Sequence, residues 1–297
     1  MADINMAQRP IRATTLAKGR RASRRELRHK VLVYFGLLAG AFVMLIPFLW
    51  MVSTSLKSEA KVYVYPPEII SFPVVWSNYV RAWTTVPFGR YTMNSVFITS
   101  MNIIGNILGS SLAAFAFARL RFPGRRILFL VMLSTLMVPF WVTVVPTFIL
   151  FRILGWTNTF LPLIVPGFFA VPFYTFLLRQ YFLGISPELE DAARIDGAST
   201  LRIYAQIVMP LSKPAIATVA IFAFVHHWND LIGPLIYLTD QSKYTVALGL
   251  AAFRSGYRIR MNDMMAASVM ALLPVLILFF LAQRYFIRGV MLSGSKG

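Results

Sequence analysis

Long apolar stretches alternate with short polar, mostly basic segments along the whole chain. A helix rises about 1.5 Å per residue and the hydrocarbon core of a bilayer is about 30 Å thick, so about 20 apolar residues can cross it. Six stretches meet this length, and we predict transmembrane helices at about residues 31–53, 91–118, 127–151, 155–179, 212–238 and 264–285. The pattern therefore predicts an all-α, polytopic membrane protein with six transmembrane helices.

The composition supports this fold class and narrows the chemistry. The 297 residues are 58% hydrophobic and 13% charged, whereas soluble domains are about half apolar and a quarter charged. The absence of cysteine excludes disulfides and thiolate metal sites. A net charge of +18 would by itself favour nucleic-acid binding, but nine of the 29 Lys and Arg residues lie in the first 30 positions and the others cluster between apolar stretches. We therefore expect no nucleic-acid partner.

The basic residues also orient the chain. Of the 29 Lys and Arg residues, 20 lie on the side that carries both termini, and cytoplasmic loops carry the excess of basic residues. We therefore place both termini in the cytoplasm, with a basic tail at residues 1–30, one transmembrane domain at 31–288 and a short tail at 289–297. The basic tail either only sets this topology or also binds anionic membrane lipid. No cleavable signal peptide is evident, because the apolar stretch after Lys30 is much longer than an h-region.

Small residues, asparagines and prolines interrupt the apolar spans. Gly105 and Gly109 form a GxxxG pattern in the second span, beside Asn102 and Asn106. Small residues let helices approach closely in lipid, and Asn can form hydrogen bonds across the contact. The third and fourth spans contain helix-kinking prolines, namely Pro139, Pro146, Pro162, Pro166 and Pro172. These features fit either ordinary bundle packing or a translocation pathway lined by bent helices.

The cytoplasmic loop at residues 186–210 has the signals of two short helices. Ser186 suits an N-cap and Pro187 the first helical position. The acidic residues that follow complement a helix N-terminus. Gly197 suits the C′ position, after which Ser199 and Thr200 can start a second helix. The loop is therefore predicted to be a helix, a tight turn and a second helix just outside the membrane.

This loop also resembles a known sequence motif. Asp191-Ala192-Ala193, then Gly197, then Ile207-Val208-Met209-Pro210 is similar to the EAA motif of ABC-importer permeases, with Asp191 in place of Glu and Met209 in place of Leu. The longer string ELEDAARIDGAS resembles the carbohydrate-importer, maltose-permease-like family. Three further segments resemble that family in the same order, namely Trp228–Leu238, Lys243–Leu250 and Arg284–Gly297.

The resemblance implies a type I ABC-importer permease in a bacterial or archaeal cell (inner) membrane. It implies a second homologous permease subunit, two ATPase subunits that use ATP and Mg, an external solute-binding protein and a carbohydrate substrate. In such permeases the short helix docks on the ATPase. Its small residues allow the two surfaces to approach closely, and Asp191 and its neighbours offer charge. The residues so assigned to the coupling loop are Glu190, Asp191, Ala192, Ala193, Asp196, Gly197, Ile207 and Pro210. The competing class is a stand-alone secondary transporter or channel.

No enzymatic motif accompanies this loop. The sequence contains no GxxxxGK[ST] phosphate loop, no HExxH metal spacing and no GxSxG nucleophile elbow. We therefore expect a non-catalytic subunit without a metal or cofactor of its own, and ATP hydrolysis must take place in a separate subunit.

A cluster of polar residues in the fifth span is the candidate translocation path. It comprises His226, His227, Trp228, Asn229 and Asp230. Ionisable groups at membrane depth are costly and often functional. Three interpretations remain open, namely a hydrogen-bonded junction around Asp230, a substrate contact, and a proton relay in which the histidines reach Asp230 along one helical face.

Overall fold

The computed structural model describes residues 24–253 and 260–294, without the side chains of residues 24–27, 252 and 284–294. All regular elements of this described part are helical. Most of the predicted basic tail, residues 1–23, lies outside it. The helices are α1 (Arg24–Ser55), α2 (Glu59–Val62), α3 (Ser77–Thr85), α4 (Phe88–Arg119), α5 (Arg125–Ser134), α6 (Phe140–Ile153), α7 (Leu161–Ile164), α8 (Pro172–Leu183), α9 (Pro187–Ile195), α10 (Thr200–Ile203), α11 (Met209–Leu211), α12 (Lys213–Trp228), α13 (Ile232–Tyr237), α14 (Val246–Phe253) and α15 (Met261–Gly294).

Four helical segments of the described chain are long and apolar enough to cross a membrane. They are Arg28–Ser55, Phe88–Arg119, Leu161–Leu183 and Met261–Gln283. Two further pairs are sharply bent: Arg125–Met137 with Phe140–Ile153, by 101°, and Thr200–Leu211 with Lys213–Trp228, by 79°. If each bent pair is one span, the number of candidate spans by length and composition reaches six, which is the number that the sequence predicts.

The bends follow from residues that cannot continue a helix. Pro139 separates α5 from α6, and Val138 before it is extended, with φ −78° and ψ 116°. A residue before proline is driven out of the helical region by the proline ring. In the predicted fifth span the helix also stops at Trp228 and restarts at Ile232, so residues 212–238 are not one continuous helix.

The described chain forms two compact units, one that ends at residue 50 and one that begins at residue 51. The described part of the first unit is the first part of α1, an uninterrupted helix that contains Pro47. In the second unit α4 is central. Its carboxy-terminal half packs with α8, α12 and the loop between them through one apolar cluster that includes Phe115, Leu178 and Val219.

The small residues of α4 lie where the chain backbone approaches it. A Cβ at Gly105 would lie 3.0 Å from the Gly167 carbonyl oxygen, and a Cβ at Gly109 would overlap the Phe168 carbonyl oxygen. The predicted GxxxG pattern therefore faces the 3₁₀ turn Val165–Phe168 that joins α7 to α8.

The end of α1, the helix α3 and the start of α15 form an ordered cap within the second unit. The Asn78 side-chain amide donates to the carbonyl oxygens of Ser55 and Lys57, each at 2.8 Å, and Asn262 donates to the same Lys57 carbonyl at 3.2 Å. Arg81 forms an ion pair with Asp263 at 3.0 Å. Burial lowers the pKa of the Lys57 ammonium from its ordinary value. This segment is thus folded structure rather than a linker.

Candidate coupling site

The helix α9 begins where its capping residues predict. The Ser186 hydroxyl accepts a hydrogen bond from the Glu188 backbone N–H at 3.4 Å, and Pro187 occupies the first helical position. Proline is tolerated there because that N–H has no partner within a helix in any case. Local sequence alone therefore sets the start of α9.

A Schellman motif ends the same helix. Gly197 has φ +78°, in the left-handed region that favours glycine. Its N–H donates to the Arg194 carbonyl at 3.0 Å, and the Ala198 N–H donates to the Ala193 carbonyl at 2.8 Å. These two bonds satisfy carbonyl groups that the helix end would leave open. The predicted turn at Gly197 is present.

The second helix of the loop is anchored in the protein core. Ser199 caps it by accepting from the Arg202 N–H at 3.3 Å. The chain then widens into a π-helix over Tyr204–Val208. The Tyr204 hydroxyl lies 2.7 Å from the Ser111 hydroxyl on α4, and Val208 is fully buried. Of the motif residues, Ile207 packs against this core, whereas Pro210 is exposed.

A buried ion pair joins α9 to the end of α4. The Arg119 Nε lies 2.6 Å from the Glu190 Oε1, and the two side chains are only 10% and 7% exposed. Arg119 also donates to the carbonyl oxygens of Phe182 and Ile185, at 2.7 and 2.6 Å. One guanidinium therefore holds the end of α8 and the start of α9 together. Glu190 lies on this inner side of α9 and does not offer its charge on the outer surface.

The outer side of α9 exposes apolar residues. Ile195 is 87% exposed, Leu189 is 48% exposed and Leu201, just after the turn, is 67% exposed. Asp191 and Ala192 are exposed beside them, whereas Ala193 faces the core. Exposed apolar residues gathered outside the predicted spans are typical of a protein interface. Sequence reasoning missed Ile195 and Leu201, although their spacing on either side of the glycine turn could have indicated them.

The five polar residues of the fifth span do not form one site. His227 Nε2 lies 3.2 Å from Asn106 Nδ2 on α4, and the His226 ring lies 4.9 Å from the His227 ring. Trp228 is buried and donates from Nε1 to the Ala271 carbonyl at 3.1 Å. His227 and Trp228 thus contact different helices.

Asp230 closes the break between α12 and α13. Its Oδ1 accepts from the Gly233 N–H at 3.0 Å, which starts the next helix. Asn229 donates to the Val225 carbonyl at 2.8 Å. Among the hydrogen bonds and ion pairs of the described residues, none joins Asp230 to either histidine, and these contacts fit the hydrogen-bonded junction.

A row of buried polar side chains lies along α4. Asn102 and Asn106 are each 1% exposed, and Asn102 donates to the Leu163 carbonyl at 2.8 Å. Ser95, Thr99 and Ser110 continue the row at helical spacing. The described residues contain no group of three His, Cys, Asp or Glu side chains that could hold a metal ion.

The chain is similar in sequence to known proteins. The family model described as "Binding-protein-dependent transport system inner membrane component" matches residues 105–291. The chain is 35% identical over 253 residues to the diacetylchitobiose uptake system permease protein NgcG of Streptomyces coelicolor, covering 84% of this chain and 83% of that protein. It is 32% identical to the trehalose/maltose transport system permease protein MalG of Thermococcus litoralis, covering 92% and 99%.

A solved structure has the same fold. One chain of a bacterial ABC transporter involved in the import of the acidic polysaccharide alginate superposes with a TM-score of 0.78 at 25% identity, covering 89% of this chain and 98% of that chain.

Proposed function

We propose that this chain moves a carbohydrate inward by alternating access. The chain belongs to the family of binding-protein-dependent transport system inner membrane components, and it is the permease subunit of an ABC importer. The energy comes from two separate ATPase subunits that bind ATP and Mg. A second homologous permease completes the membrane part, and an external solute-binding protein delivers the substrate. Permeases of this family are generally non-catalytic, and no reaction is assigned to this chain.

One observation carries the coupling role of α9. The helix is rigidly held on its inner side, by the Arg119–Glu190 ion pair and the Gly197 turn, while its outer side exposes Leu189, Ala192 and Ile195. A helix with this arrangement can bind a cleft on the ATPase and pass its movement to α4. Closure of the ATPase pair would then swing the two permeases from inward-facing to outward-facing.

The carbohydrate substrate is supported by what the relatives are named for. Diacetylchitobiose, trehalose and maltose, and alginate are all saccharides. The related sn-glycerol-3-phosphate permease UgpE of Yersinia pestis marks a polyol phosphate as the alternative solute. Binding of candidate sugars to the solute-binding protein encoded beside this chain, measured by calorimetry, would identify the substrate.

For the translocation path we propose the buried polar row of α4 together with His227. Asn102, Asn106 and His227 lie at one junction between α4, α7 and α12. Two other residues of the fifth-span cluster have different partners, since Trp228 donates to the Ala271 carbonyl on α15 and Asp230 accepts from the Gly233 N–H of α13. Both termini remain assigned to the cytoplasm, because the basic residues favour that side.

Uptake by the purified complex in proteoliposomes tests the proposed function. The importer requires ATP on the side of α9 and continues when a protonophore removes the proton gradient. Proton-driven uptake without ATP would instead establish a secondary transporter and overturn the proposal.

A further inference from the structure

A basic and aromatic pocket lies beside the corner between α4 and α5, and none of its lining residues belongs to α9. Its volume is about 340 Å³. Its lining residues are either arginines or apolar, and they are Phe117, Arg125, Arg126, Phe129, Leu130 and Arg179. The pocket thus gathers three guanidinium groups without a carboxylate in its lining.

The structure holds one of these guanidiniums in a fixed position. Arg179 Nε donates to the Phe117 carbonyl oxygen at 3.2 Å, and its guanidinium carbon lies 4.3 Å from the centre of the Phe129 ring. The Phe117 and Phe129 rings pack edge to face at 5.4 Å. A guanidinium has five N–H donors, so this anchoring leaves several donors of Arg179 for another group.

The other two arginines add charge at the same place. Arg125 donates from one Nη to the Leu120 carbonyl at 2.9 Å, and Arg126 is exposed. None of the ion pairs found among the described residues includes Arg125, Arg126 or Arg179. Three like charges around one small pocket repel one another, and a bound anion would relieve this repulsion.

The surroundings of the pocket indicate which anion fits. Below the arginines, α5 exposes a strip of apolar side chains, with Ile127 at 68%, Leu130 at 55% and Val131 at 55% exposure. Arg125 is the first residue of α5 and Arg179 lies in the last turn and a half of α8, so the arginines mark the level at which apolar helices end. A basic group directly above an apolar strip matches a phosphate headgroup above its acyl chains.

We propose that Arg125, Arg126 and Arg179 bind the phosphate of an anionic phospholipid, whose acyl chain lies along the exposed strip of α5. The site does not depend on which solute the permease carries. A soluble phosphate would use the arginines but not the strip, and an acidic protein segment would use the arginines from the aqueous side.

Native mass spectrometry of the intact transporter complex, titrated with phosphatidylglycerol, tests this site. Each basic residue near the membrane surface contributes about fivefold to binding of anionic lipid. We expect Arg126→Gln to weaken phosphatidylglycerol binding about fivefold and Arg125→Gln/Arg126→Gln about 25-fold. Arg152→Gln, at the exposed end of α6, is the matched control and should leave binding unchanged.

Three outcomes would overturn the proposal. Equal binding of phosphatidylcholine would show an apolar groove without charge selection. Displacement of the lipid by inorganic phosphate at comparable concentration would show a soluble-anion site. A photoactivatable residue at position 126 that cross-links to another subunit rather than to lipid would show a protein interface. Because Arg126 is exposed, its substitution should leave assembly of the complex intact, which size-exclusion chromatography checks.

Discussion

The Arg119–Glu190 ion pair gives the sharpest prediction about how α9 is held. Glu190→Gln removes one charge and keeps the shape of the side chain, which leaves the Arg119 guanidinium buried at 10% exposure without its counter-ion. Removal of one partner from a buried pair costs about 3–5 kcal/mol. We take the lower end, about 3 kcal/mol, because Arg119 keeps its hydrogen bonds to the carbonyl oxygens of Phe182 and Ile185.

A loss of about 3 kcal/mol corresponds to a change on the order of 100-fold in the equilibrium between the docked and the released α9. Hydrogen exchange of the α9 backbone amides measures this opening directly. We expect these amides to exchange on the order of 100-fold faster in Glu190→Gln, while amides of α12 keep their rates.

Glu188→Gln is the matched control for this experiment. Glu188 lies in the same first turn of α9 but is exposed, so both variants lose the same favourable interaction with the helix dipole. Exposed substitutions change stability by less than about 0.5 kcal/mol, which predicts exchange within about twofold of the original protein. Equal exchange rates in Glu190→Gln and Glu188→Gln would refute the anchoring role of the pair.

Three further variants test the turn at Gly197, the exposed surface at Ile195 and the close packing of α4 at Gly109. Gly197→Ala should cost about 1–2 kcal/mol because φ is +78° and should lower uptake per ATP hydrolysed; unchanged coupling would contradict the role of this turn. Ile195→Asp should reduce co-purification of the ATPase about tenfold, since it places a charge on the docking surface. Ile195→Leu should leave co-purification of the ATPase unchanged. Full co-purification with the Asp variant would show that this surface does not bind the ATPase. Gly109→Leu should destabilise the protein by at least about 1–3 kcal/mol through overlap with the Phe168 carbonyl. Gly36→Ala, where a Cβ meets nothing within 4 Å, should not lower the melting temperature, because alanine favours a helix more than glycine does. Equal melting temperatures for the Gly109 and Gly36 variants would contradict the close packing of α4.

Features set by neighbouring residues could be predicted from the sequence. The start of α9 at Ser186 and Pro187, and its end at Gly197, depend on capping groups within a few residues. The bend after α5 could also be predicted from the sequence, because Pro139 changes the backbone only in its own surroundings. These predictions succeeded because their physical causes are local.

Features set by distant contacts could not be predicted in the same way. Two whole predicted spans, 127–151 and 155–179, lie between Arg119 and Glu190, and no pattern along the chain joins these two residues. The stop after Trp228 was also missed, because residues 212–238 read as one apolar run. In the structure a new helix begins at Ile232, and the Asp230 carboxylate accepts from the Gly233 N–H in its first turn. The exposed surface at Ile195 depends on which side of α9 the core covers, which only the folded structure determines.

If α9 receives the movement of an ATPase, it must contact that subunit, and a single engineered cysteine can detect this contact. Since the chain contains no cysteine, Ala192→Cys places one unique thiol on the exposed side of α9. In the assembled complex, a photoactivatable maleimide at this position should form a cross-link to the ATPase subunit, and Arg152→Cys should form none. A complex that retains its ATPase but shows no cross-link from position 192 to that subunit would contradict the proposed coupling role of α9.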